Sequence, residues 1–246
     1  MIHKPTLEIE RIENAVIKLC NKIDSEGKKK VTWQDYSEEQ LWSELVSCIL
    51  GSRVLYETAK ACTKHLRNSN LIEISIILNN PEVQENKLIK ELSKPIFPPF
   101  NGKKGSKYRF PCFRSKHIVK TAIEIYHNSK TSIKNLLEIN RDANETRYTM
   151  IKKCHGIGPK QASLFLRNIS YCDNLAILDS HVIRYIKLLR LKENSSTYNG
   201  QKCDYFLNEN ILSEYAKLKK KSLATLDFAI WVVMSLIYKE FSICQL

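Results

Sequence analysis

Lys160 and Asp179 are the two residues of this 246-residue chain whose types and positions favour covalent chemistry. Lys160 follows Pro159, and proline suits the first position of a helix because its missing N–H leaves no bond unmade there. A cation in that first turn opposes the helix macrodipole by about 0.3–1 kcal/mol, so the dipole favours the neutral amine. A neutral lysine amine is the nucleophile that forms a Schiff base with an electrophilic carbon. On position alone, a surface lysine that contacts a phosphate is the more common case.

Asp179 stands between a buried segment and the start of a helix. The apolar run 175–178 precedes it, and residues 180–184 have the pattern of a first helical turn. The simplest role is a helix N-cap worth about 1 kcal/mol. A capping carboxylate is also held in a fixed orientation, so it can stabilise a cation or activate an attacking amine. The two roles do not exclude each other.

The turn before Lys160 predicts a helix-hairpin-helix motif over residues 142–169. Residues 142–153 can form a helix, the following His-Gly-Ile-Gly cannot continue it, and a second helix can begin at Pro159. Gly156 and Gly158 would let backbone N–H groups approach a phosphate without side-chain obstruction, and the second helix adds its positive N-terminal end. A bare Gly-x-Gly is a weak signal, because many helical turns contain it.

The elements that must position these residues are predicted to be helices. Apolar residues recur at helical spacing in segment after segment, and strand signals are scarce. We expect an all-α fold of about ten short helices. Residues 223–238 are apolar on almost every side, which predicts a helix deep in a core. Residues 93–114 are predicted to be a loop, where basic and aromatic residues alternate; it either contacts nucleic acid or is a solvated surface loop.

Composition narrows the class of partner. Lys and Arg number 39 against 26 Asp and Glu, a net charge of +13, which favours polyanion binding through phosphate neutralisation. Charge alone does not separate nucleic-acid binding from a basic surface that has no ligand or meets a membrane. No segment is apolar for long enough to span a bilayer, and the first residues lack the apolar core of a secretion signal. We therefore expect a cytoplasmic protein, or one in the compartment that holds DNA.

The eight cysteines form no metal-binding pattern. No two are spaced as C-x-x-C, and no four cluster as zinc or iron–sulfur ligands. We therefore expect neither a metal nor a cofactor. With no export signal, the cysteines are expected to be reduced and mostly buried.

A resemblance to a known family becomes recognisable when these motifs are combined. Residues 154–160, followed by Asp179 nineteen positions after Lys160, resemble the helix-hairpin-helix DNA glycosylase superfamily. Within it, the chain is most similar to the second-type 8-oxoguanine DNA glycosylase/AP lyases of archaea and bacteria. Four further segments resemble motifs of that subgroup: 42–50, 108–119, 162–168 and 226–231. The resemblance covers about residues 38–235, and its motifs are jointly specific although each is weak alone.

The resemblance implies one glycosylase unit made of two helical lobes, with a DNA-binding cleft between them. Residues 38–178 would form the central lobe, and residues 1–37 together with 179–246 would form the second. The implied partner is double-stranded DNA with a damaged base, bound by a monomer that meets no membrane and is associated with the nucleoid. The implied reaction flips and excises an oxidised purine, with 8-oxoguanine expected, and then cleaves the strand.

The resemblance also implies roles for individual residues. Lys160 would be the nucleophile and Asp179 the activating or stabilising carboxylate.

The remaining implied roles lie in the base pocket and beside it. Phe110 and Trp231 would sandwich the flipped base, and Asp227 would bond its edge. Arg53 would be a wedge in the gap left by that base. From the residues alone, core packing is favoured over base stacking for Trp231 by about two to one. For Arg53, the alternative to a wedge is a phosphate contact or a surface charge.

Several positions depart from the subgroup's pattern. Pro159 replaces its usual aromatic residue, Cys112 its Asn and Ser180 its Arg, the 93–107 insert is longer, and the chain continues past Lys239. These departures affect the pocket, so the lesion is less firmly predicted than the chemistry. The alternatives are a glycosylase for another lesion or modified base, a non-catalytic hairpin protein that binds DNA, and an RNA-binding helical protein. The missing four-cysteine motif argues against the endonuclease-three-like branch, and the presence of the lysine argues against adenine glycosylases.

Overall fold

The computed structural model describes residues 4–26, 31–95, 107–139, 142–191 and 201–243. The regular secondary structure in these ranges is helical. The β-type backbone pairing found there is one isolated bridge between Pro95 and Lys107. The expected all-α class is therefore confirmed. No helix in the described ranges is both long and apolar enough to cross a membrane.

Twelve α-helices follow one another along the described ranges. They are α1 Lys4–Ser25, α2 Glu38–Leu50, α3 Tyr56–Asn68, α4 Ile74–Asn79, α5 Pro81–Leu92, α6 Pro111–Ala122, α7 Ile133–Ile139, α8 Ala143–Lys153, α9 Pro159–Asn168, α10 Ser180–Leu188, α11 Gln201–Leu218 and α12 Leu223–Ile243. A 3₁₀ turn, Trp33–Asp35, precedes α2, and a π-helical turn, Ile123–Asn128, extends α6.

The chain divides into two units. The first consists of Met1–Lys30 and Cys172–Leu246, and the second of Val31–Tyr171. The lobe boundaries that the resemblance implied, 37/38 and 178/179, each lie seven residues further along the chain than the boundaries of these units. The reason is a contact between the two ends of the second unit: the Trp33 and Tyr171 rings lie 5.8 Å apart. The Tyr171 hydroxyl also bonds the Leu137 carbonyl, 3.2 Å away, which attaches the chain up to residue 171 to this unit.

The first unit has its core around α12, which contacts α1, α10 and α11. Leu226, Ala229 and Ile230 of α12 are fully buried there. The expectation that α12 is buried all round is wrong, because Phe228 and Trp231 are 45% and 38% exposed on another face. The helix therefore has one packed face and one face that presents aromatic rings.

The second unit is organised around α2, whose residues from Leu45 to Leu50 are all buried. This helix contacts α3, α6, α7 and α9, and the Trp42 indole donates to the Ile72 carbonyl over 2.7 Å. Helix α8 packs on α9, so the two helices of the predicted hairpin form one substructure of this unit.

The prediction of a loop over residues 93–114 is wrong for residues 111–114, which are helical. Helix α6 begins at Pro111, because proline at a first helical position needs no N–H partner. Tyr108 is buried and its hydroxyl donates to the Leu50 carbonyl over 2.7 Å, whereas Phe113 is exposed. The basic and aromatic residues at 96–106 lie outside the described residues.

Candidate functional site

Lys160 is the second residue of α9, immediately after the hairpin turn. Helix α8 ends at Lys153, and Gly158 is the N-cap of α9. The Lys160 side chain is half-buried, and within the described part of the chain no ion pair engages its amine. The helix start therefore positions the amine and leaves it available for chemistry.

The two positions occupied by glycine in the hairpin turn differ in whether the structure requires glycine there. Gly156 has a φ of +74°, and a Cβ built on it would collide with the His117 imidazole of α6. A Cβ on Gly158 would meet nothing within 4 Å. The fold therefore requires glycine at position 156. It does not require glycine at position 158, where the space beside the backbone is open.

Arg114 of α6 connects the hairpin turn to a second turn. Its guanidinium, which is largely buried, donates from Nη2 to the Ser52 carbonyl over 3.2 Å and from Nη1 to the Gly156 carbonyl over 3.5 Å. The same group lies 5.9 Å from the centre of the Phe110 ring. One side chain thus contacts both turns and a predicted pocket aromatic. From its sequence position, Arg114 is only one of the basic residues of the 93–114 loop that could contact nucleic acid. Its bonds to both turns have no local signal, because the partners are distant in sequence.

Arg53 lies in the turn that Arg114 holds. It is exposed and has a φ of +60°, a left-handed conformation that costs a non-glycine residue about 1–2 kcal/mol. The turn begins after α2, where the Gly51 N–H bonds the Ser47 carbonyl over 2.9 Å. Arg53 is therefore presented at the tip of an anchored turn.

Asp179 is the N-cap of α10. Its Oδ1 accepts from the backbone N–H of His181 over 2.8 Å and of Val182 over 3.0 Å. Its Oδ2 takes no hydrogen bond from the described residues. The carboxylate is thus oriented through one oxygen while the other remains able to act on a ligand.

Asp227 and Trp231, both on α12, differ in their surroundings. Asp227 is 2% exposed, and its Oδ2 accepts from the Ile177 N–H over 2.7 Å. The Trp231 ring is stacked on Phe228 with centroids 6.1 Å apart and an interplanar angle of 26°. The core-packing role that the residues alone favoured for Trp231 does not fit this partly exposed ring.

The predicted residues fall on both units. The second unit carries Lys160, Gly156, Gly158, Phe110 and Arg53, and the first carries Asp179, Asp227 and Trp231. Within the second unit, Arg114 links Gly156, Phe110 and the turn of Arg53. Within the first, Asp227 bonds the segment that leads to Asp179.

No group of three or more His, Cys, Asp and Glu side chains in the described ranges could hold a metal ion. Four of the cysteines there are buried, and burial raises the pKa of Cys20 to about 11 and that of Cys154 to about 12. These two thiols are therefore protonated near neutral pH, which makes them poor nucleophiles.

The hairpin turn has a pH-sensitive neighbour in His117. Burial, and then the positive charges of Arg114, His155, Lys120 and Lys116, lower the pKa of His117. The Arg114 guanidinium can only donate, so His117 Nδ1 accepts this 3.3 Å bond and the ring is neutral.

We expect acid to destabilise the protein through this group. Because the pKa of His117 is lower in the folded state, the unfolded chain binds more protons near its ordinary pKa of about 6.5, and stability falls as pH drops below it. The Tm of the wild type should decline more steeply between about pH 7.5 and 5.5 than that of His117→Asn, which keeps an acceptor but does not titrate. Parallel declines in the two proteins would contradict this expectation.

The glycine pair gives a second prediction. Gly156→Ala should lower the free energy of unfolding by about 2–4 kcal/mol, from the left-handed backbone and the collision with His117. Gly158→Ala should change it by no more than about 0.5 kcal/mol. Urea unfolding measures both, and equal losses would show that the turn is not held as described.

Comparisons with known proteins agree on one family. A family model described as 8-oxoguanine DNA glycosylase matches residues 26–221, which include both Lys160 and Asp179. An 8-oxoguanine DNA glycosylase/AP lyase of Saccharolobus solfataricus is 35% identical over 137 residues, which are 56% of this chain and 61% of that protein. The enzyme of the same name from Sulfurisphaera tokodaii is 30% identical over 177 residues, 72% of this chain and 73% of that one.

A solved structure shares the fold. The Methanocaldococcus jannaschii 8-oxoguanine glycosylase/lyase, in complex with a 15mer DNA containing 8-oxoguanine, superposes with a TM-score of 0.63. The superposition covers 92% of this chain and 95% of that one at 23% identity.

Proposed function

The chain belongs to the 8-oxoguanine DNA glycosylase family, and on that premise we propose that it excises an oxidised purine, 8-oxoguanine, from duplex DNA and cleaves the resulting abasic strand. The observation that carries the proposal is the position of Lys160, a half-buried amine at the start of α9 that no ion pair engages within the described residues. The family match includes this residue and Asp179.

The proposed reaction begins with attack of the neutral Lys160 amine on C1′ of the damaged nucleotide. The glycosidic bond breaks, and the base leaves with the bonding electrons and takes up a proton. The lysine nitrogen, now bonded to C1′, gives up one proton. The C1′–O4′ bond then breaks, O4′ takes up a proton, and a protonated Schiff base forms between C1′ and the lysine nitrogen. Loss of a C2′ proton then expels the 3′ phosphate by β-elimination, and water releases the lysine. This sequence accounts for base removal and strand cleavage by one nucleophile.

Asp179 supports the first step of this reaction. Positive charge develops on the sugar as the base departs, and a fixed carboxylate stabilises it. Its Oδ1 is engaged by two backbone N–H groups, so the carboxylate does not need to reorient during the reaction. The other oxygen, Oδ2, takes no hydrogen bond from the described residues and can accept a proton from the attacking amine.

The hairpin turn is proposed to hold a phosphate of the duplex. The open space beside Gly158 would let backbone N–H groups reach the phosphate, and the N-terminus of α9 adds its partial positive charge. Gly158→Ala should therefore weaken duplex binding by about tenfold, since a methyl group takes that space, although the fold tolerates it. A fluorescence anisotropy titration measures this effect, and unchanged affinity would remove Gly158 from the interface.

Phe110 and Trp231 are proposed to stack on the flipped base, and Arg53 to fill the gap that this base leaves. The guanidinium of Arg109 lies 5.1 Å from the centre of the Phe110 ring, a cation–π contact that helps to hold the ring in place. Arg53 fits a wedge because it is exposed at the tip of a turn. We further propose that the protein acts as a monomer in association with the nucleoid.

The test is borohydride trapping on a panel of duplexes. The panel carries 8-oxoguanine, other oxidised or alkylated bases, an abasic site and undamaged DNA. A covalent complex on the 8-oxoguanine duplex, with strand cleavage when borohydride is omitted, supports the proposal. Trapping only on another lesion would assign a different substrate, and duplex binding with no covalent complex on any member would identify a non-catalytic hairpin protein.

A further inference from the structure

Residues 175–178, which lead directly to Asp179, form a largely buried segment that belongs to no helix or strand. Leu175 and Ala176 are almost completely inaccessible, and Leu178 is also buried. Buried backbone groups need hydrogen-bond partners, and a segment outside regular structure cannot obtain them from its own ladder. The partners of this segment therefore determine where the residue that follows it, Asp179, is placed.

Side chains of α11 and α12 provide these partners. The Glu209 carboxylate accepts from the Ala176 N–H over 2.8 Å, and the Tyr205 hydroxyl donates to the Ala176 carbonyl over 2.6 Å. The Asp227 carboxylate accepts from the Ile177 N–H over 2.7 Å. Two consecutive peptide units are thus held by side chains from two helices.

A further bond carries the constraint to Asp179. The Asp179 N–H donates to the Ile177 carbonyl over 3.0 Å. Ile177 is therefore held by Asp227 through its N–H and is joined to Asp179 through its carbonyl. Glu209 and Asp227 are both buried carboxylates, and hydrogen bonds to an ionised acceptor are about twice as strong as neutral ones.

We infer that Glu209, Tyr205 and Asp227 are positioning residues that fix the Asp179 carboxylate through the 175–178 segment. Asp227 then acts through Ile177 and not by contact with the edge of the flipped base, which is the role that the resemblance implied for it. The inference rests on the proposed function for its kinetic consequence only. Displacement of a catalytic group by about 1 Å can lower a rate by about 100-fold, so a small loss of constraint is measurable.

The experiment combines amide hydrogen exchange with single-turnover excision on 8-oxoguanine duplex. Asp227→Ala should speed exchange of the His181 and Val182 amides, which bond Asp179, and lower the excision rate by about 10- to 100-fold with duplex affinity unchanged. Asp227→Asn keeps an oxygen that can accept from Ile177, so it should restore both quantities to within about threefold of the wild type. If Asp227 instead contacted the edge of the flipped base, Asp227→Asn would change the discrimination between lesion and undamaged DNA.

Glu38 provides the matched control. Its carboxylate also accepts backbone N–H groups, from Ile133 over 2.7 Å and from Lys134 over 3.1 Å, but it belongs to the second unit. Glu38→Gln should leave the exchange of His181 and Val182 and the excision rate unchanged. A double variant, Asp179→Asn with Asp227→Ala, should be no slower than Asp179→Asn alone, because the positioning then has no carboxylate to act on.

Several outcomes would overturn the inference. A folded Asp227→Ala protein with wild-type exchange, or with faster exchange but wild-type excision, contradicts it. If Asp227→Ala does not fold, Tyr205→Phe decides in the same two assays, because it removes a single hydroxyl from the segment. A wild-type protein that excises nothing would refute the proposed function, and the exchange comparison would then decide the structural inference alone.

Discussion

Lys160→Gln should abolish the borohydride-trapped complex and lower base excision by at least about 10³-fold, because glutamine has no amine that can form a Schiff base. The substitution leaves the hairpin turn and its glycines unchanged, so duplex affinity should stay within about threefold, the expected loss for one charge near a phosphate. Gel electrophoresis of the trapped complex and an anisotropy titration measure the two effects. Lys160 is half-buried and forms no ion pair in the described ranges, so its removal leaves no buried charge without a partner.

Lys152 is the control for the loss of charge. It lies in the last turn of α8, before the same hairpin turn, and is exposed. Lys152→Gln removes one positive charge and should retain both trapping and excision. A trapped complex that persists in Lys160→Gln would show that another amine is the nucleophile.

Asp179→Asn should lower excision by about 10²- to 10⁴-fold and leave stability almost unchanged. Asparagine caps helices about as well as aspartate, so the bonds from His181 and Val182 can persist and the free energy of unfolding should change by less than about 0.5 kcal/mol. The substitution therefore separates the charge of the residue from its capping role. Single-turnover excision and urea unfolding measure the two quantities.

Asp142 is the matched control, since it caps α8 with the same pattern of bonds. Its Oδ2 accepts from the backbone N–H of Asn144 over 2.9 Å and of Glu145 over 3.1 Å. Asp142→Asn should change neither excision nor stability. If Asp179→Asn behaves in the same way, Asp179 is a helix cap and nothing more.

The features that the sequence predicted well are those with local signals. Pro159 sets the start of α9 and so the position of Lys160, and Asp179 caps the helix that follows it. Each depends on residues within one helical turn. The all-α class follows similarly, because apolar spacing is a property of each segment.

The features that the sequence could not provide depend on distant partners. Arg114 bonds Ser52 and Gly156, which lie 62 and 42 positions away. Asp227 bonds Ile177, 50 positions away, and no spacing rule indicates that partner. The Gly-x-Gly turn likewise predicts one shared role for Gly156 and Gly158, whereas the contact with His117 distinguishes them.

Aromatic residues on α12 show a limit of hydropathy patterns. The run from 223 to 238 is apolar enough to predict complete burial, yet Phe228 and Trp231 are partly exposed. A helix that presents rings to a ligand has the same composition as one that is surrounded by core. Only the packing of α1, α10 and α11 on one face of α12 separates the two cases.

The division of the first unit between the two ends of the chain has a consequence for biosynthesis. The second unit is continuous in sequence, so it can fold while the ribosome is still making the rest. Helix α1, whose Val16 and Cys20 are buried in the core with α12, must wait until that last helix emerges. At about 5–20 residues per second this delay is roughly 10–45 s, during which an apolar helix face has no native partner. Newly made chains should therefore be most prone to aggregation through their first helix.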